Sequence, residues 1–218
     1  MKGKARLDFL LTNGFKANFT FLMSAFAVVL YAQNPTKERE LCMFAILFST
    51  VADLVLMDYN KIPGLLFGKK RFYVGMALFG ITHVLYTCCF LGKLAGIETF
   101  SMNGAILPLI AAMGVFAFSM FFSMYLTSEK KGDFRVAVFT YVVLINAALI
   151  SMYIYSFATK QIAAAIGITL FLISDMFILV RETKCDTNLV RKLIWIFYPI
   201  GQLLIICGVW DFHVLVIM

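Results

Sequence analysis

Polar residues punctuate this chain, and the stretches between them are apolar on every side rather than along one stripe. Run length therefore carries the topology, because a helix needs about 17 to 25 apolar residues to cross a hydrocarbon core about 30 Å thick. By that measure the sequence predicts an all-α fold, a polytopic transmembrane helix bundle. Its seven spans lie at 17–32, 40–57, 71–92, 103–126, 134–157, 161–180 and 192–212, the first being the shortest. The connections are short. The longest, 58–70, carries Ile62-Pro63-Gly64-Leu65-Leu66-Phe67 and reads as a segment resting on the membrane surface. Residues 1–16 mix Lys2, Lys4, Arg6 and Lys16 with a broken apolar patch, which suits a short interfacial segment better than a cleaved signal peptide. With no internal repeat, low-complexity tract or linker, residues 1–218 read as a single transmembrane helical domain.

Composition agrees. Hydrophobic residues make up 62% of the chain and charged residues 14%, with a mean hydropathy of +0.90; a soluble domain has about 45–50% and about 25%. The five cysteines form no CxxC pair and no ligand spacing, and four lie in apolar runs as small core residues.

Charge orients the bundle, because Lys and Arg collect on the cytoplasmic side. With seven spans, only Lys37, Arg39, Lys93 and Lys160 of the 19 basic residues fall on the side away from the N-terminus. The split predicts a cytoplasmic N-terminus and a C-terminus on the opposite side, as in the inner membrane of a bacterium. Adding or removing a span would scramble it. The net charge of +7 then reads as topology plus attraction to anionic lipid at the cytoplasmic face, with no need of nucleic acid.

Two carboxylates stand inside the apolar runs, Asp53 in span two and Asp175 in span six. Each costs roughly 2.5–3.5 kcal/mol on insertion scales, which makes it a functional candidate. Both spans descend toward the cytoplasm, and the aspartates lie four and five residues before the predicted ends, so a similar depth is expected. A carboxyl pair in one cavity divides into an acid and a base, the arrangement that performs acid/base hydrolysis. The bland alternative is a helix lock, with both carboxyls held by Ser49, Thr50, Ser174 or a tyrosine. If the two carboxyls open onto different cavities or onto lipid, the argument for a shared site fails.

Other polar groups share the spans. Phe72, Gly75, Phe79, His83, Tyr86 and Phe90 recur at steps of three or four, on one face of span three. Tyr198 and Gln202 share a face of span seven, with Pro199 between them predicting a kink. Asn146, Asn103 and Thr169 are weaker candidates for hydrogen bonds to the site. Packing of a satisfied histidine, and amides bridging helices, are the competing explanations.

Four stretches in order carry a resemblance: Phe48-Ser49-Thr50-Val51-Ala52-Asp53-Leu54-Val55-Leu56; Phe72, Gly75, Phe79, His83 and Tyr86; Gly167-Ile168-Thr169-Leu170-Phe171-Leu172-Ile173-Ser174-Asp175; and Tyr198-Pro199-Ile200-Gly201-Gln202-Leu203-Leu204-Ile205. Together they resemble the YhhN-type family of integral membrane proteins, which includes the animal lysoplasmalogenases. The chain departs from the family pattern at Ala52, commonly Gly, and at Gly201, commonly Ala. Lys16-Ala17-Asn18 looks like the Lys-Pro segment that opens the second of the family's usual eight spans, so the usual first is not evident.

The resemblance implies hydrolysis of the vinyl ether of lysoplasmenyl phospholipids, giving a fatty aldehyde and glycerophospho-ethanolamine or glycerophospho-choline. Asp53 and Asp175 fall where the family has its proposed catalytic pair. Ser49, His83, Tyr86, Asn146, Ser174, Tyr198 and Gln202 would bind or orient substrate, and the chemistry requires no metal or cofactor. The partner is a lysophospholipid within the bilayer. Against this stand a proton-coupled transporter using the same aspartates and a non-enzymatic lipid-sensing protein. A retinal protein is excluded because residues 193–212 contain no lysine, and a G-protein-coupled receptor has the opposite orientation.

Overall fold

The computed structural model describes residues 13–57, 59–97 and 102–212. Most of the expected interfacial segment, residues 1–12, lies outside them, and its last four residues open the first helix. Seven long helices follow one another: α1 Asn13–Gln33, α2 Lys37–Leu56, α4 Arg71–Ala95, α5 Met102–Thr127, α6 Gly132–Thr159, α7 Ala163–Thr183 and α8 Asn188–Val209. The short α3, Ile62–Phe67, sits between 3-10 turns at Tyr59–Lys61 and Gly68–Lys70. Six of the helical stretches are long and apolar enough to cross a membrane. The exception is α2, whose opening Lys37-Glu38-Arg39-Glu40 shortens its apolar part.

Helix ends depart from the predicted spans by up to four residues, because a backbone continues helical where its side chains turn polar. At α8 the start moves to Asn188, where the Thr187 side chain accepts from the Val190 amide at 3.3 Å, and the end falls back to Val209. At α2 the Thr36 side chain accepts from the Arg39 amide at 3.3 Å, and Glu38 and Glu40 lie against the positive end of the helix dipole. The helix of α8 continues through Pro199. In α3 the apolar side chains Ile62, Leu65 and Leu66 point outward, as a surface-resting segment requires.

Where water does not drive association, helices need close backbone approach, and small residues permit it. The tightest crossing is α7 on α8. A Cβ on Gly167 would stand 2.8 Å from both the Gly201 carbonyl oxygen and the Ile205 amide nitrogen, and one on Gly208 would stand 2.7 Å from the Ala164 Cβ. The α4 helix lies between α2 and α6 and buries Gly75, Phe79, His83, Tyr86 and Phe90, the face expected from the sequence. The α5 helix packs chiefly on α6 and touches α7 more sparsely.

One end of the bundle is clasped by charge. Lys93 at the end of α4 donates to both Asp211 oxygens and to the Val209 carbonyl, each at 2.9 Å, and the Tyr155 hydroxyl of α6 adds a bond to Asp211 at 2.8 Å. Both aspartates of interest lie toward the other end.

Candidate active site

Asp53 and Ser49 are one turn apart on α2, and Tyr198 and Gln202 are one turn apart on α8, so the two helices present matching pairs. The Tyr198 hydroxyl donates to Asp53 Oδ2 at 2.6 Å. Having spent its one proton there, Tyr198 accepts from the Ser49 hydroxyl at 2.7 Å, and Ser49 accepts from Gln202 Nε2 at 2.8 Å. From α4 the Tyr86 hydroxyl donates to Gln202 Oε1 at 2.5 Å. Every proton in this row runs toward Asp53, whose side chain is 7% exposed. Tyr198 holds Oδ2, and Oδ1 has no protein partner among the described residues.

Asp175 on α7 has its own tyrosine. The Tyr141 hydroxyl of α6 donates to Asp175 Oδ2, and His83 Nε2 lies 2.9 Å from that hydroxyl and 3.9 Å from the carboxylate oxygen. With the Tyr141 proton committed to Asp175, the network assigns the His83 proton to Nε2. Nδ1 of His83 is then buried without a protein partner. Between the two tyrosines stand Phe79 and Phe171: Phe171 packs edge-on against both Tyr198 and His83, at centroid distances of 5.2 and 5.0 Å.

The two carboxyls do not open onto one cavity, so the expectation of a single cavity shared by both is not met. Asp53 lines a polar cavity of about 340 Å³ with Lys16, Arg71, Arg181, Asp186 and Arg191. Asp175 lines an apolar cavity of about 50 Å³ with Phe72, Met76, Phe79, Tyr141 and Ser123. The two adjoin, sharing Leu56 and Ile178 as a wall. The helices run on unequally past the two carboxyls: α7 continues to Thr183, carrying Arg181 and Glu182 into the polar mouth, whereas α2 ends three residues after Asp53. Asp53 accordingly faces the polar mouth and Asp175 the apolar cavity.

The mouth has its own electrostatics. Lys16 Nζ lies over the Trp195 ring at 5.2 Å, a cation–π contact. Arg191 grips Asp186 through both carboxylate oxygens, Nε to Oδ1 at 2.6 Å, and this charge-assisted pair holds the Asp186 carboxyl below the usual carboxylate range. Arg181 bonds Glu182 at 2.8 Å.

Not every expected residue joins the site. Asn146 donates through Nδ2 to Ser119 on α5 and to the Val142 carbonyl, so it ties α6 to α5 and reaches neither aspartate. The Ser174 hydroxyl is fully buried without a protein partner and bonds neither carboxylate. Thr50 bonds Ser24 and the Thr20 carbonyl of α1, and Thr169 bonds Tyr153. Ser49 reaches Asp53 only through Tyr198. The side chain of Asn103 lies outside those described. Tyr141 is the residue that sequence reasoning missed. Counting depth along span five, as was done for the aspartates, would have found it, since it stands nine residues into α6 from the same end. Among the described residues, no three His, Cys, Asp or Glu side chains cluster so as to hold a metal ion.

No curated protein and no solved structure matches the chain. The sequence model of the YhhN family does, over residues 11–209, a stretch that contains both aspartates, both of their tyrosines, His83 and Gln202. The chain therefore belongs to the YhhN family.

Proposed function

We propose that this protein hydrolyses the vinyl ether of single-chain lysoplasmenyl phospholipids, releasing a fatty aldehyde and a glycerophospho-ethanolamine or glycerophospho-choline. The observation that carries the reading is the pair of adjoining cavities, one charged, with four basic side chains and three acidic ones in its lining, and one apolar, with a carboxyl of interest in each. A lysophospholipid has the same order: charged phosphate, glycerol, ether linkage, hydrocarbon chain. Membership of a family that includes lysoplasmalogenases supports the same substrate.

The order assigns the two carboxyls different work. The outer alkene carbon lies on the chain side of the ether, beside Asp175, and the ether oxygen lies on the head-group side, beside Asp53. Protonated Asp175 transfers its proton to the outer carbon, whose π electrons form the new C–H bond and leave an oxocarbenium ion. Ionised Asp53 takes a proton from the water that attacks the inner carbon, giving a hemiacetal. The hemiacetal hydroxyl returns its proton to Asp175 as the carbonyl forms, and Asp53 returns its proton to the departing glycerol oxygen. Both groups are reset. The Tyr198 and Tyr141 hydroxyls hold the carboxylates and spread their charge when ionised. Lys16, Arg71 and Arg181 line the phosphate end.

Seven spans with the N-terminus and this mouth at the cytoplasmic face of a bacterial cell membrane accord with the reading. That face is where Lys and Arg collect, and the head group of an inner-leaflet lipid lies at the height of Lys16 and Arg71. Hydrolysis in D₂O tests the chemistry. The released aldehyde should carry one deuterium on the carbon next to the carbonyl, and aldehyde formed without it would exclude protonation of the alkene.

A further inference from the structure

Beyond the two cavities, an apolar groove of about 440 Å³ runs between α5 and α7. On α5 it is lined by Ala111, Gly114, Val115 and Phe118, spaced i, i+3, i+4 and i+7; the facing stripe of α7, residues 169–176, repeats that spacing. Two such stripes on neighbouring helices make the walls of a channel roughly 10 Å long. The groove offers carbon. Its one hydroxyl, on Thr169, is taken up by Tyr153 at 2.9 Å and by the Ala165 carbonyl at 2.7 Å. The groove is open at Gly114, where a Cβ would meet nothing within 4 Å.

The groove is not separate from the site. Leu172 and Met176 line both it and the cavity of Asp175. The mouth of Asp53, the cavity of Asp175 and the groove therefore lie side by side in that order, with Leu56 and Ile178, then Leu172 and Met176, as the side chains between them. The fully buried Ser123 hydroxyl, which has no hydrogen-bond partner among the described residues, opens on the same cavity from α5. Near Asp175 a polar atom of a ligand has somewhere to bond; farther along the groove it has none.

We propose that this groove holds the hydrocarbon chain of the lysophospholipid, so that a single-chain lipid enters and leaves sideways between α5 and α7. The proposal rests on the hydrolase reading for the identity of the lipid. The chain lies toward the middle of the bilayer while its head group stays in the basic mouth, and the linkage to be cleaved is drawn between the two aspartates. Sparse contact between α5 and α7 lets the chain pass without unfolding either helix.

Photolabelling tests it. The probe is a lysophospholipid with a saturated, non-cleavable alkyl ether and a diazirine at the far end of its chain, applied to the purified wild type with and without excess unlabelled lysophospholipid. Competable label is expected within 111–118 and 169–176. It should persist in Gly114→Ala and fall at least tenfold in Gly114→Phe. Ile173→Trp fills the groove from the other wall and should do the same, so the outcome does not depend on one variant folding. Competable label confined to other faces, or undiminished in folded Gly114→Phe and Ile173→Trp, would overturn the proposal. Aldehyde release from a lysoplasmenyl lipid by the same wild-type preparation reports on the hydrolase reading separately.

Discussion

The Tyr198 hydroxyl on α8 donates to Asp53 Oδ2 on α2 at 2.6 Å, joining residues 145 positions apart in the chain. Its ring is packed edge-on against Phe79, Phe171 and Trp195, so the phenol is held in place independently of its hydrogen bonds. Tyr198→Phe keeps that packing and removes the donor. A hydrogen bond to a charged group is worth about 1.5–3 kcal/mol, so aldehyde release should fall about 10- to 100-fold. The variant should still purify as a folded protein. Steady-state rates beside a thermal melt check both halves; unchanged rates would remove Tyr198 from the site.

Tyr141 holds the other carboxyl, and His83 stands behind it. Tyr141→Phe leaves His83 Nε2 without its partner, a buried unsatisfied group costing about 1–3 kcal/mol. Both stability and rate should drop, whereas Asn146→Ala, which breaks a bond to Ser119 on α5, should lower stability and leave the rate near wild type. Comparing melts with rates for the two variants distinguishes a group at the site from a helix bridge.

Packing of α7 on α8 sets the position of Tyr198 relative to Phe171. Gly167→Ala places a methyl against backbone atoms of α8 at 2.8 Å, where no side chain can swing aside. Overpacking of this kind costs about 1–3 kcal/mol. Unfolding in a denaturing detergent series should show it, while Gly114→Ala, facing open space, should match the wild type.

At the far end, Asp211→Asn weakens the Lys93 clasp. Asp211 is 42% exposed, so the loss should be no more than about 1 kcal/mol. Activity should be unchanged, which a paired melt and aldehyde assay would show.

Orientation is open to a chemical test through Cys185, an exposed residue in the connection between α7 and α8 at the basic mouth. A membrane-impermeant maleimide should label it in inverted vesicles and not in intact cells, with Cys185→Ser as control. Label acquired from outside would reverse the assigned topology.

Much of this arrangement is legible in the sequence, for identifiable reasons. Asp53 with Ser49, and Tyr198 with Gln202, are i, i+4 pairs of polar residues in apolar surroundings, and such pairs must satisfy one another across helices. The long helices follow from run length, though run length opens α2 at residue 40 and leaves most of its charged first turn, capped by Thr36, to the connection. Tyr141 was obscured because a tyrosine in an apolar span resembles core packing until its hydroxyl is given a depth. The two cavities were not legible at all. They depend on how far α7 extends beyond Asp175, and that extension is made by Arg181 and Glu182, residues that a hydropathy run assigns to the loop. Asn146 shows the converse, a polar residue in a span whose partner, Ser119 on α5, bridges two helices and bonds neither aspartate.

The central claim is that Asp53 and Asp175 cleave a vinyl ether together. Its most direct test is aldehyde release from a lysoplasmenyl phospholipid by purified wild type, Asp53→Asn and Asp175→Asn, each confirmed to be folded. Wild type should produce aldehyde and each variant should lose at least about a hundredfold in rate, the scale of a general acid or base. A wild type that releases no aldehyde from any lysoplasmenyl head group, or folded variants that both retain full activity, would contradict it.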